Sequence, residues 1–292
     1  MNKDNFEDKV FVLGSFAIKS MLYEVSAFPK PGLVTPLSKG AHRDMDYFTF
    51  IDSTCALLKT MIKFSECGFQ SKNEKEIFKE ARNIGKVGDL DMVKSTKGVN
   101  THRGMIFLMG VSLGAVAKTL YENKSFIEIE DTIKNMTKGL VDKDLYKGIK
   151  LKSEENLTYG EVLYKKYGIT GIRGEVEKGI PIVFRHSLRC YEKNRDLNNN
   201  DRLIDTLINI MTVCEDTNII HRHNLETLKY MQSKAKYIVE LGGMRKEGGR
   251  KAIRDLNDEF IEKNISPGGS ADILALTVFF SLVKENYNSL KD

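Results

Sequence analysis

Of the five prolines in this chain, three (Pro29, Pro31 and Pro36) fall in one short segment, and the rest of the sequence is almost free of residues that break a helix. Apolar residues recur at helical spacing through most of it, and strand-like alternation is scarce. Phe48, Ile51, Cys55, Leu58 and Ile62 lie along one stripe and predict a single amphipathic helix. Met105, Leu108, Met109, Leu113, Val116 and Leu120 predict a second, Leu203, Leu207, Ile210 and Cys214 a third, and the run from Ile273 through Phe280 to Val283 a fourth. The expected fold class is all-α: one compact multi-helix domain covering residues 1–292, with its active site built from the loops between helices. The polar run 194–202 reads as an exposed loop within that domain.

Composition narrows the function classes. Lys and Arg exceed Asp and Glu by 45 to 40, a surplus too small and dispersed for a nucleic-acid groove but compatible with local phosphate pockets. Cys55, Cys67, Cys190 and Cys214 are far apart, which argues against a disulfide scaffold or a zinc cage. The apolar stretch 10–18 is short and follows Asp4, Glu7 and Asp8, unlike a secretory leader. No apolar run reaches the roughly 20 residues needed to cross a bilayer. A cytoplasmic protein without membrane or nucleic-acid partners is expected.

Five islands interrupt the helical periodicity: residues 29–46, 97–104, 159–181, 215–224 and 266–272. In the first, Asp44 and Asp46 with His42 could offer oxygen ligands to Mg²⁺ at a helix entry, although an Asp there equally serves as a helix cap. The second, KGVNTHRG, opens the Met105 helix with Asn100 or Thr101 as the expected N-cap. Its Lys97, His102 and Arg103 stand beside backbone amides suited to phosphate. It lacks the GxxxxGK[ST] order of a Walker A loop. The third carries Arg173 among Gly168, Gly171 and Gly174, and the fourth sets Glu215 and Asp216 beside His221 and Arg222. No HExxH occurs. The fifth, SPGGSAD, places Asp272 in the first turn of an apolar helix, with Ser270 as the expected cap; the helix dipole stabilises that charge whether or not it binds anything.

In order and wording these islands resemble the triphosphoribosyl-dephospho-CoA synthase family. PKPGLV (29–34), GAHRDM (40–45), GVNTHRG (98–104), GIRGE (171–175), DTNIIHR (216–222) and GGSADILALT (268–277) carry the resemblance, which spans residues 24–277. It implies transfer of the triphosphoribosyl group of ATP to the ribose 2′-hydroxyl of 3′-dephospho-CoA with release of adenine. The product is the prosthetic-group precursor for the acyl carrier protein of citrate lyase or malonate decarboxylase. On that reading Asp44, Asp46, Asp216 and Asp272 are expected to gather around Mg²⁺, with Glu24 or His102 as general base and Asp44 also at the catalytic centre. Lys30, Asn100, Arg103, Arg173 and Arg222 are expected to bind the substrates, the cations by gripping phosphate. Two other readings compete: an Mg²⁺-dependent hydrolase of N-glycosidic or ADP-ribosyl bonds on a similar helical scaffold, and a non-enzymatic helical protein that binds an acyl carrier partner.

Overall fold

The computed structural model describes residues 3–291, with side chains from residue 6; Asp4 of the N-terminal acidic group has its side chain outside that range. The described residues form helices and loops, and their one strand-like feature is an isolated bridge between Thr35 and Ser38. The first half contains α1 (Lys3–Ser26), α2 (Tyr47–Ala56), α3 (Leu58–Gly68), α4 (Glu74–Ser95), α5 (Arg103–Tyr121) and α6 (Ile129–Thr137). The second half follows with shorter helices, among them Tyr159–Tyr167, Gly171–Glu177 and Thr217–Arg222, and with the longer Asn199–Met211, Leu225–Glu240, Glu247–Glu262 and Gly268–Glu285.

Helix α5 is the axle of the fold. Its residues are apolar on every side, so it is stable only when surrounded, and every residue from Leu108 to Leu120 is buried among α1, α3, α4, α6 and the Gly268–Glu285 helix. By length and composition α5 could span a bilayer, but 83% of that window is buried inside the protein. The core position accounts for its composition. Close approach of α3 to α5 depends on glycine, because a Cβ at Gly68 would stand 2.4 Å from the Gly114 carbonyl oxygen.

The structure departs from two expectations. The stripe from Phe48 to Ile62 is not one helix: the chain breaks at the fully buried Leu57 into α2 and α3. Phe48 (73%) and Leu58 (38%) are exposed, as is Cys55, whereas Ser53, Thr54, Thr60, Met61 and Phe64 face inward. Counting apolar residues misassigned the face because the inward side of α2 is hydroxyl-bearing, and one of those hydroxyls is bonded within the protein. Residues 194–202 are likewise not a free loop. Asn198 caps the Asn199–Met211 helix, Asn194 donates to Asp205 at 2.7 Å, and Arg245 bonds both Asn194 and Asp196.

The same run anchors the site. Asn200 clamps the backbone of Phe28 with two bonds, accepting from its amide at 2.9 Å and donating to its carbonyl at 2.7 Å. That fixes the loop that carries Pro29, Lys30 and Pro31. Asn200→Ala is expected to cost about 1–2 kcal/mol in urea unfolding through the two lost bonds. It should also raise KM, since the loop that holds Lys30 loses its tether.

Candidate active site

A cavity of ≈ 810 Å³ opens where the loops of both halves meet. Two long helices start at its wall, α5 and the Gly268–Glu285 helix, with the starts of the shorter Tyr159–Tyr167, Gly171–Glu177 and Thr217–Arg222 helices beside them. Each helix N-terminus carries partial positive charge, so their convergence makes the cavity receptive to polyanions. Arg82, Arg103, Arg173 and Arg222 line it and add full charges. Each is held at present by groups a phosphate can replace. Asp144 pairs with Arg82 (2.9 Å) and Arg173 (3.6 Å), Asp89 with Arg103 (2.9 Å), and the Ala41 carbonyl accepts from Arg222 (2.8 Å).

Of the residues singled out in the sequence, Glu24, Lys30, Asn100, His102, Arg103, Arg173, Arg222 and Asp272 all line this cavity. Asn100 Oδ1 accepts the Arg103 amide at 3.2 Å, tying off the start of α5, although His102 and not Asn100 or Thr101 is the N-cap. Lys30 is not a free phosphate grip. It is 1% exposed and closes a buried, hydrogen-bonded ion pair with Glu24. Burial pushes the Glu24 carboxyl up and the Lys30 ammonium down, and the charge and hydrogen bond of each partner oppose that shift in the other. Glu24 is therefore engaged and is not a ready base. Nor is His102: its Nδ1 lies 2.7 Å from Ser53 Oγ, and burial with the nearby Lys30 charge lowers its pKa to about 3.

The expected Mg²⁺ cluster does not form. Among the described residues no group of three or more His, Cys, Asp and Glu side chains is placed to hold a metal. Asp46 caps α2, its Oδ1 accepting from the Thr49 amide at 3.0 Å and the Thr49 hydroxyl at 3.0 Å. Asp44 is exposed and does not line the cavity, so it has no contact with a reacting atom there. Asp216 is buried and saturated: Oδ1 accepts from the amides of Asn218 (3.1 Å) and Ile219 (3.4 Å), and Oδ2 from the amide (2.7 Å) and hydroxyl (3.0 Å) of Ser270. It pins the Thr217–Arg222 helix to the start of the Gly268–Glu285 helix. Four carboxylates in short polar motifs look alike in sequence; three of them are caps or surface groups in space.

Asp272 is the exception. Its carboxylate makes no hydrogen bond or ion pair with the described residues and lies against α5, where a Cβ on Gly104 would come within 2.5 Å of Oδ2. Burial, then the charges of Glu24 and Asp216, push its pKa well above the ordinary carboxylate value. A carboxyl held above its ordinary range is, once ionised, a stronger proton acceptor than a solvated one.

Several cavity residues escaped the sequence reading. Arg82 sits on an ordinary face of α4, and Asp144 lies in the π-helical turn Asp142–Lys147; neither belongs to a motif. Ser266 could have been found, because it opens the fifth island; its hydroxyl is 2.8 Å from His42 Nε2. Burial and the charge of Arg222 bring the His42 pKa to about 4, so that ring too is neutral.

Comparison with known proteins fits this geometry. The sequence model of a family described as ATP:dephospho-CoA triphosphoribosyl transferase matches residues 11–291. A probable 2-(5''-triphosphoribosyl)-3'-dephosphocoenzyme-A synthase of Lactiplantibacillus plantarum is 38% identical over 93% of this chain and 96% of its own length. Proteins of the same name from Streptococcus equi subsp. equi (33% identical, 97% and 99% covered) and, numbered 1, from Salmonella typhimurium (36%, 92% and 90%) also match. No solved structure matches significantly. With the match running through every helix that borders the cavity, the chain belongs to the ATP:dephospho-CoA triphosphoribosyl transferase family.

Proposed function

We propose that this cavity transfers the triphosphoribosyl group of ATP to the ribose 2′-hydroxyl of 3′-dephospho-CoA and releases adenine. The observation that carries the reading is the convergence of helix N-termini and four arginines on one cavity in which, among the described residues, Asp272 is the single unengaged carboxylate. The helix starts and arginines grip the phosphates of both substrates. Asp272, ionised, takes the proton of the attacking 2′-hydroxyl as the new C1′–O bond forms and the C1′–N9 bond of ATP breaks, through an oxocarbenium-like transition state. The electron pair of that bond leaves with adenine. The proton count is restored when the protonated carboxyl hands its proton to the departing base.

The carboxylates do not fit a resident Mg²⁺ cage, and in this proposal Mg²⁺ enters as part of the substrate, complexed by the triphosphate oxygens. The product serves in the cytoplasm as precursor of the prosthetic group of an acyl carrier protein, that of citrate lyase being the favoured recipient.

Two measurements test this. Adenine release from ATP should depend on dephospho-CoA; equal release without it would support a hydrolase. Arg173→Ala should raise KM for ATP about 10-fold or more with a smaller change in kcat, because a charge-assisted phosphate contact is worth about 1.5–3 kcal/mol. An unchanged KM would remove Arg173 from the phosphate site.

A further inference from the structure

One end of the cavity is apolar. Val34 and Met45 are buried there, Phe50 packs on them, and all three line the space. The Phe50 and His102 rings meet edge to face, with centroids 5.0 Å apart and planes at 81°. His102 is fixed from behind by a chain of hydroxyls: Thr101 Oγ1 donates to Ser53 Oγ at 2.7 Å, and Ser53 Oγ stands 2.7 Å from His102 Nδ1. A hydroxyl has one proton to give. With Thr101 supplying the proton of the first bond, Ser53 keeps its own proton to direct at Nδ1, and in that arrangement the ring proton of the neutral imidazole resides on Nε2.

Nε2 has no partner among the described residues, yet it is not one of the sealed, unpartnered polar atoms, so it is reached from the cavity that His102 lines. The groups around the ring keep it uncharged. Lys30, from the loop after α1, opposes a second positive charge, with Glu24 already committed to that lysine. The neighbours from α2 are the neutral Ser53 and Phe50, and from α4 the Met92 sulfur, which takes the His102 amide at 3.1 Å.

Resting on the transferase reading, we propose that this apolar end is the purine subsite and that His102 Nε2–H donates to a ring nitrogen of adenine, with Ser53 and Thr101 as positioning residues that set the tautomer. A flat purine buries its face on Val34, Met45 and Phe50, and its ring nitrogens N3 and N7 are acceptors. When the C1′–N9 bond breaks, the electron pair spreads into the purine and strengthens those acceptors, so a donor already in place gains most in the transition state. The proton stays on Nε2 throughout, and His102 ends the cycle as it began. A neutral imidazole acting as a donor has precedent in other enzymes.

Free adenine and its 3-deaza and 7-deaza analogues, each lacking one acceptor nitrogen, are the probes. Calorimetry on the wild-type protein should show one analogue binding about 10-fold more weakly than adenine. His102→Ala should bind all three alike. Steady-state kcat should fall about 100-fold or more in His102→Ala and recover in part in His102→Gln, which keeps a donor. The ¹⁵N spectrum of the wild-type imidazole should show a protonated Nε2 and bare Nδ1 at neutral pH, and Ser53→Ala should mix the two tautomers. A ring protonated at Nδ1, or equal discrimination by wild type and His102→Ala, would overturn the proposal. Adduct formation from ATP and dephospho-CoA by the same wild-type protein separates the two levels. If the adduct forms while discrimination fails, the purine subsite alone is wrong; if no adduct forms, the transferase reading falls and the subsite with it.

Discussion

Asp272→Asn is expected to lower kcat by about 10²- to 10⁴-fold, the usual contribution of a positioned proton acceptor, while making the folded protein more resistant to heat. The two effects have one cause. The Asp272 carboxylate is enclosed beside α5, makes no hydrogen bond to the described residues, and feels the charges of Glu24 and Asp216, all of which favour its protonated form. A carboxyl whose folded pKa is raised contributes stability that is complete below its unfolded pKa of about 3.9 and is lost as pH rises through the folded value. At neutral pH the wild-type protein therefore bears that loss, and Asn removes it, so the thermal midpoint should rise by a few degrees. Activity has the opposite dependence: only the ionised carboxyl accepts a proton, so the acid limb of kcat should lie above the ordinary carboxylate range. Differential scanning calorimetry and a pH–rate profile on both proteins test this. A variant that loses stability together with activity would make Asp272 a structural residue.

Asp216→Ala is expected to do the reverse, lowering stability by about 3 kcal/mol, or roughly 5–10 °C in the thermal midpoint. Its two oxygens accept four bonds that join the start of the Thr217–Arg222 helix to the start of the Gly268–Glu285 helix. Alanine leaves the buried amide and hydroxyl of Ser270 without that partner, which is the costly part of the change. Because those donors already fill the carboxylate, the Mg²⁺ concentration dependence of the remaining activity should be that of the wild type. A large shift in Mg²⁺ dependence with an unchanged midpoint would restore Asp216 as a metal ligand.

Those two aspartates show how far the sequence could be read. Both stand in short polar motifs at a helix start, and spacing is blind to whether a carboxylate faces amides or open space. The all-α class was legible because helical periodicity is a property of neighbours along the chain, and α5 declared itself by being apolar from Met105 to Leu120. The motif loops were legible as site-builders for the same local reason: they are where the periodicity fails. The inward face of α2 was not, since Ser53 is buried for the sake of His102, 49 residues away, and an apolar count assigns it to solvent. Nor were Arg82 and Asp144, which reach the cavity only through the packing of α4 beside the Asp142–Lys147 turn. Lys30 and Glu24 lay in or beside a motif, but their mutual neutralisation depends on burial that only the fold supplies.

The most direct test of the account is liquid chromatography with mass detection after incubating the purified protein with ATP, 3′-dephospho-CoA and Mg²⁺. Adenine and an adduct of dephospho-CoA carrying one triphosphoribosyl group are expected in equal amounts, with both suppressed in Asp272→Asn. Adenine with free triphosphoribose and no adduct, or neither product from folded protein, would contradict it.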